Sequence, residues 1–436
     1  MAGGLSFRYS GFRFQPFSRK QKQLLNWWMD TSPVNDSDGI IADGSVRSGK
    51  TLCMALGFVL WSMNRFNGQI FAMCGKTVGS FRRNVLTVLK QTLPGRGFRY
   101  VDLRADNLLV ITRGGVTNYY YLFGGKDESS QDLIQGLTLA GILLDEVALM
   151  PESFVNQATA RCSVPGSKFW FNCNPAGAAH WFKKKWIDRA VERKLLRLHF
   201  TMTDNLSLTR AVRERYERMY TGVFYDRYIR GLWAAADGLI YDMFSAAVNV
   251  PAQLPATSGD YYVSCDYGTQ NPTCFLLWQK EWTGTRWCCL REYYFSGREA
   301  QRSGRGTQKT DRELADDLQR WLGDVKPRSV VVDPSAASFI AELMSRGIRV
   351  QRADNQVLDG IRMVGALLQS GGLVFDRRCT RTLEEFTQYV WDSKAADRGE
   401  DKPVKENDHA MDAVRYFVNT VLRRGTARGI RRPRNM

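Results

Sequence analysis

The chain has 436 residues, 44% hydrophobic and 24% charged, and its 61 basic against 44 acidic side chains leave a formal charge of +17. That length exceeds one ordinary core and suits two domains, and the composition excludes a fibrous or largely membrane-embedded protein. The positive excess favours polyanionic partners, nucleic acid first and anionic membrane next, although solubility alone is the plainer account of it. No N-terminal apolar stretch has the form of a signal peptide. The longest charge-free apolar run, Leu52 to Met63, is shorter than the ~20 residues that span a bilayer. Nine scattered cysteines without a CxxC pair and only three histidines argue against zinc and suit reduced thiols in a cytoplasm.

Taken in order, the first 40 residues are basic and aromatic and lead into a helical stretch, Lys20 to Met29. From Gly39 short apolar strands alternate with helical periods. Strands are predicted at Ile40 to Ala42, Ile70 to Cys74, Ile142 to Leu144 and Lys168 to Cys173, and helices at Lys50 to Asn64 and Val78 to Leu93. Tyr100 to Ile111 and Val116 to Phe123 read as a hairpin turning at Arg113-Gly114-Gly115. Such alternation implies a mainly parallel sheet. Thr203 to Ala236 reads as helical and rich in Arg and Tyr. The prolines and small residues of 250–259 mark a linker. Beyond it, Tyr261 to Cys265, Thr273 to Gln279 and Arg286 to Tyr294 read as three antiparallel strands. A helix follows at Asp311 to Leu322, a buried strand at Ser329 to Val332, and a last helix from about Asp408 to Leu422. The tail after it carries six arginines and reads as disordered.

Gly44-Ser45-Val46-Arg47-Ser48-Gly49-Lys50-Thr51 fits GxxxxGK[ST] between a strand and a helix. That context gives a phosphate loop its meaning: backbone N–H groups and a helix N-terminus face an anion. Lys50 would reach the β- and γ-phosphates of ATP, and Thr51 would hold Mg²⁺. The apolar run that ends in Asp145-Glu146 supplies a carboxylate for the Mg²⁺ shell and a second to polarise water. Alone such a strand end is usually a solvated loop; its pairing with the phosphate loop gives it weight. Arg47 is either a finger for γ-phosphoryl charge or a surface arginine. Asn172 and Asn174, in Phe171-Asn172-Cys173-Asn174-Pro175, either sense the γ-phosphate or simply build a turn.

In the second half, Asp266 and Asp333 each end a strand, and Asp408 and Asp412 stand one turn apart on a helix. Such acids can converge, and hard oxygen donors hold two Mg²⁺ or Mn²⁺ ions that clamp a phosphodiester. Singly each Asp is more often a turn former or helix cap, and Asp408 could be the N-cap of its own helix. Either Asp408 or Asp412 could be the third ligand, and His409 a ligand, a proton shuttle or a surface side chain. Three antiparallel strands, a helix, a strand and a late acidic helix follow the order of ribonuclease-H-like folds.

Over nearly its whole length the chain resembles the large subunit of a tailed-bacteriophage terminase. The resemblance rests on Phe17 to Gln21, Gly44 to Thr51, the run from Gln135 into Asp145-Glu146, Phe171 to Pro175, and Gly231-Leu232-Trp233 with Gly238 to Tyr241. It continues through Asp266, Asp333 and Asp408 to Asp412. It implies an α/β chain with a P-loop (RecA/ASCE-like) ATPase over 1–245, including a helical linker at about 203–245. An RNase H-like nuclease over 250–422 and a basic tail over 423–436 follow. It implies that Gln21 reads adenine, with Gln23 a near competitor, that Gly44, Ser45, Arg47, Ser48, Gly49, Lys50, Thr51 and Asp145 bind ATP, and that Asn172 and Asn174 couple hydrolysis to movement. Asp266, Asp333 and Asp408 or Asp412 match the two-metal acids; many family members carry Glu at the second, so Asp333 is one methylene short. Such subunits package double-stranded DNA through a portal as a ring, commonly a pentamer. A small terminase subunit selects the DNA, in the cytoplasm of an infected bacterial host. The alternative is a repair helicase with a fused nuclease, but no second motor-motif set follows residue 250. A transposase-like enzyme would lack the ATPase, and a dead ATPase would not keep Lys50, Thr51, Asp145 and Glu146.

Overall fold

The computed structural model describes residues 17–268, 271–297, 301 and 308–423. The arginine-rich tail beyond Arg423 and the basic leader before Phe17 lie outside them. The chain divides into two compact units, Met1–Glu217 with Tyr225–Ala235, and Arg218–Phe224 with Ala236–Met436. The division thus falls earlier than the proline-containing stretch at 250, because 236–249 are bound into the second unit. There Ile240 N–H donates to the Tyr389 carbonyl at 2.9 Å, and Asn249 donates to the carbonyls of Leu368 and Leu373 at 3.0 Å each.

The first unit is built on one eight-stranded sheet. Its strands are β1 (Gly39–Gly44), β2 (Ile70–Gly75), β3 (Arg99–Leu103), β4 (Leu108–Arg113), β5 (Val116–Gly124), β6 (Gly141–Asp145), β7 (Lys168–Asn172) and β8 (Leu195–Phe200). They lie in the order β3-β4-β5-β2-β6-β7-β1-β8. Pairing from β5 to β8 is parallel; β3, β4 and β5 form an antiparallel meander. The expected hairpin therefore has a second bend between β3 and β4, where Asn107 adopts φ 50°, a conformation Asn tolerates better than most residues. β8 had no counterpart among the expected strands, since Arg197 and His199 interrupt its apolar signal.

Six-residue β1 is wholly buried, as a strand inside a parallel sheet must be. The helix Lys50–Arg65 packs over it and β7. Trp170 of β7 is fully buried, its ring centroid 5.2 Å from Trp27, 5.9 Å from Phe58 and 5.9 Å from Trp61. Gly57 lets the helix approach: a Cβ there would stand 3.0 Å from the Trp170 ring. Since side chains two apart share a strand face, this packing anchors the face from which Asn172 also projects. The expected helix Val78 to Leu93 is present but interrupted by a π turn, Arg82–Leu86. The expected helical stretch Thr203 to Ala236 keeps only Arg210–Glu217 and Gly222–Tyr228. Gly222 and Gly231 adopt positive φ and break it.

The second unit has a six-stranded sheet, β13-β12-β9-β10-β11-β14. Its strands are β9 (Thr257–Asp266), β10 (Thr273–Glu281), β11 (Trp287–Phe295), β12 (Pro327–Val332), β13 (Val350–Arg352) and β14 (Leu373–Phe375). β9, β10 and β11 are antiparallel neighbours, and β12 runs parallel to β9 with Val332 opposite Cys265. Asp266 is therefore the last residue of β9, and Asp333 follows the adjacent end of β12. The helix His409–Phe417 lies on this sheet, its Phe417 ring stacked on Trp278 at 4.4 Å. Among the described residues no helix is long and apolar enough to cross a membrane.

Trp170→Ala is expected to destabilise the first unit by about 3–5 kcal/mol, the cost of a large aromatic cavity. Urea unfolding followed by tryptophan fluorescence would read it.

Candidate functional sites

The phosphate loop leaves β1 where the sheet's parallel strands end, the side on which open α/β sheets place their ligands. Gly44 has φ 131°, and a Cβ there would stand 1.9 Å from the Phe200 carbonyl oxygen, so only glycine makes the turn. Arg47 has φ 57°, and Gly49, with φ 85°, precedes the helix Lys50–Arg65. The Lys50 ammonium lies buried inside the loop. It donates to the carbonyls of Gly44 and Ser45 at 3.1 and 2.7 Å, to Ser48 Oγ at 3.2 Å and to Asn174 Oδ1 at 3.1 Å. Burial lowers its pKa to about 8. Gln21 closes the other side. It shares a capping box with Ser18, and its amide donates to the Ser48 carbonyl at 3.3 Å. Arg47 is exposed, with its guanidinium 5.3 Å from the Tyr216 ring centroid.

β6 and β7 pair Asp145 with Asn172. The Asn172 amide donates to the Asp145 carboxylate and, at 3.0 Å, to Thr51 Oγ1. Burial pushes the Asp145 carboxyl up to about 7 against the pull of Asn172. Burial also raises Glu146, opposed by Lys76. A cleft of about 610 Å³ takes in the residues 46–52, Asp145, Glu146 and Asn174. Beside it, though not lining it, Ser45 Oγ and Asn172 Oδ1 are buried without hydrogen-bond partners.

Behind the loop lies an acid that the sequence reading missed. Asp43, fully buried, accepts from Arg197 at 3.0 and 2.9 Å and from the Trp233 indole at 2.9 Å, with His199 Nδ1 at 3.4 Å. Burial works against its charge, but His199, Arg197 and Trp233 prevail and hold its pKa at about 2. A single Asp inside an apolar strand gave no sign that partners on β8 and at Trp233 would surround it.

In the second unit a cavity of about 580 Å³ is lined by Asp266, Asp408, His409 and Asp412, together with Glu385 and Lys405. Asp266 Oδ2 lies 2.8 Å from His409 Nδ1. Burial pushes Asp266 up to about 6 despite that bond. His409 is raised as well: burial opposes the shift, and the Asp266 and Asp408 carboxylates outweigh it. Lys405 bridges Asp408 at 2.9 Å and Asp412 at 3.0 Å. The other Asp412 oxygen accepts from buried Arg415 at 2.7 Å. Asp333 does not line this cavity. Its oxygens accept from Ser335 N–H at 2.7 Å and Tyr416 OH at 2.8 Å, and these bonds hold its pKa below the usual range although burial opposes them. Among the described residues no group of three or more His, Cys, Asp or Glu is arranged to hold a metal. Glu385, also missed in the sequence, is buried, and burial raises its carboxyl to about 7.

Comparison with known proteins assigns both units. A family model described as the terminase large subunit, T4likevirus-type, N-terminal, matches residues 41–247, and one for the terminase RNaseH-like domain matches 307–420. The crystal structure of the large terminase from a thermophilic bacteriophage is 58% identical, with a TM-score of 0.85 over 94% of this chain and 100% of that one. The chain belongs to the terminase large-subunit family. The same thermophilic-phage large terminase in complex with ATP-gamma-S matches at 56% identity and TM-score 0.81, over 93% of this chain and 100% of that one. The large terminase subunit of Escherichia phage T5 is 24% identical over 322 residues, 69% of this chain and 70% of that protein. This terminase thus has an α/β ATPase domain followed by an RNase H-like nuclease domain, and it is an enzyme of both kinds.

The Asp43 cluster carries a pH prediction. A carboxyl whose pKa is about 2 when folded and 3.8 in its ordinary state contributes stability above pH ~4 that is lost as pH falls through about 2, roughly 2 kcal/mol in all. Asp43→Asn is therefore expected to destabilise the ATPase domain most above pH 4, with the gap narrowing toward pH 2. Urea melts across that range would show a constant gap if Asp43 were not ionised in the fold.

Proposed function

We propose that this terminase drives double-stranded viral DNA through the portal of a procapsid by ATP hydrolysis and cuts the concatemer when packaging begins and ends. The observation that carries the reading is the presence in one chain of a phosphate loop facing Asp145-Glu146 and, in a separate unit, a carboxylate-lined cavity with Asp266, Asp408 and Asp412. The repair helicase–nuclease alternative is not favoured by the family.

The ATP site residues fit Mg²⁺ and a triphosphate. Lys50 has only neutral oxygens around its ammonium, and phosphate oxygens are stronger acceptors. Ser45 Oγ is left without a partner, and the loop amides frame an anion site. The thermophilic-phage large terminase, more than half identical, binds ATP-gamma-S, which supports the same ligand here. In this reading Lys50 binds the β- and γ-phosphates, while Gln21 reads the base and Arg47 meets γ-phosphoryl charge. Glu146, raised by burial, takes the proton from attacking water. Thr51 and Asp145 would hold Mg²⁺, which supplies charge neutralisation. Asn172 touches both of them, and Asn174 touches Lys50, so a change at the γ-phosphate reaches β7.

The nuclease cavity fits cations by its donor chemistry. Lys405 already sets a positive charge between Asp408 and Asp412, and hard carboxylates suit Mg²⁺ or Mn²⁺. Asp266, Asp408 and the Lys405-facing oxygen of Asp412 would hold an ion. Asp333, at the neighbouring strand end but outside the cavity, would have to release Tyr416 to serve a second. Divalent ions supply an acidified water and a clamp on the phosphodiester. His409, whose Nδ1 lies 2.8 Å from Asp266, would serve as the shuttle. The +17 charge supports contact with the DNA backbone without base reading. The partners would be the portal, a small terminase subunit and sister copies in a ring, probed by assembly on purified portals. The site of action would be the infected host's cytoplasm.

In the full chain, Lys50→Ala should abolish ATP hydrolysis while Mn²⁺-dependent plasmid cleavage persists, and Asp266→Asn and Asp333→Asn should do the reverse. Loss of both activities in either set would contradict two separate sites. Glu146→Gln should bind ATP with near-normal affinity yet turn it over at least about 100-fold more slowly, within the range for a lost general base; normal turnover would remove Glu146 from that role.

A further inference from the structure

Asp408 stands where a helix normally receives its cap, immediately before His409–Phe417. An Asp in that position ordinarily accepts from the second and third helical N–H groups. Here it does not: its backbone is at φ −119°, ψ 4°, and its side chain makes no capping bond. The two amides are nevertheless satisfied. Glu385, from the helix Thr380–Phe386, puts Oε2 at 2.7 Å from Ala410 N and 3.2 Å from Met411 N. Its other oxygen accepts from Tyr294 OH of β11 at 2.9 Å, and the residue is 4% exposed. The Asp408 carboxylate instead faces the cavity, where it meets Lys405.

We propose that Glu385 is a positioning residue of the nuclease, a cap supplied from another helix that relieves Asp408 of capping and leaves its carboxylate to the metal cavity. The physics is competitive. Buried helix amides need an acceptor, and Asp408, the residue immediately before the helix, is the carboxylate placed to replace Glu385 if its backbone turns to the extended cap conformation. A negative group at the helix N-terminus is favourable in either case. Without Glu385 the same amides draw Asp408 out of the cavity. Tyr294 holds Glu385 in the rotamer that keeps this from happening. The inference rests on the reading of Asp408 as a cation ligand.

The test is plasmid cleavage by the full-length chain titrated with Mn²⁺, for wild type, Glu385→Ala, Glu385→Asp, Glu385→Gln and Asp408→Asn. Glu385→Ala is expected to raise the half-saturating Mn²⁺ concentration about 10–100-fold, the usual effect of losing a group that orients a metal ligand, with much of the rate recovered at saturating Mn²⁺. Glu385→Asp, a methylene short of both amides, should shift it the same way and serves if the alanine variant does not fold. Glu385→Gln should stay near wild type, because an amide oxygen still accepts from Ala410 and Met411. An unchanged half-saturation in the Ala or Asp variant overturns the proposal whatever its stability, and so does a Gln variant as poor as Ala. Asp408→Asn that cuts like wild type removes Asp408 as a ligand and the proposal with it, a failure told apart because Glu385 is then intact.

Discussion

Carboxylates gathered where strands end lose hydration and repel one another, and both sites of this protein are organised around that cost. Isolated buried charge is not tolerated, so each acid is matched to a donor of a different kind. Asp43 has a guanidinium, an imidazole and an indole; Asp145 has the Asn172 amide; Asp266 has His409; Asp333 has Tyr416 and a backbone N–H. The quality of the match sorts the acids by protonation. Asp43, held by a guanidinium, an imidazole and an indole, stays ionised, whereas burial outweighs the donors of Asp145 and Asp266 and raises both toward neutrality. The first kind is suited to holding structure, the second to receiving a cation that would restore the charge.

The same logic links the phosphate loop to its surroundings. Asp43 immediately precedes Gly44, and its partners lie on β8 and at Trp233. Gly231 packs so tightly on the loop that a Cβ would stand 2.9 Å from Ser45 N, and Val46 N–H donates to the Tyr228 carbonyl at 2.9 Å. The loop is thus held by its strand, by the helix it opens and by the returning segment 225–235.

In the nuclease cavity, positive charge is already present as Lys405 and Arg415. Arg415 is buried and committed to Asp412 and to the Asn355 carbonyl. Lys405 is largely exposed, with 63% of its side chain accessible, and reaches both carboxylates from the solvent side. The arrangement keeps Asp408 and Asp412 close together in spite of their like charge.

The sequence by itself determined the kinds of chemistry and their order along the chain. The eight residues Gly44 to Thr51, the strand ending in Asp145-Glu146, and the three antiparallel strands of which the first ends in Asp266 were legible because they are local: a loop, a strand end and an alternation are each written in consecutive residues. The helix start at Asp408 was legible too, but not whether Asp408 caps it, since the answer lies in Glu385, more than twenty residues earlier. Only the tertiary structure decided that, as it decided the partners of Asp43, the placing of Asp333 outside the cavity and the inclusion of 236–249 in the second unit. These are pairings between residues far apart in the chain, set by sheet order and packing, and no local pattern encodes which distant donor will neutralise a buried acid.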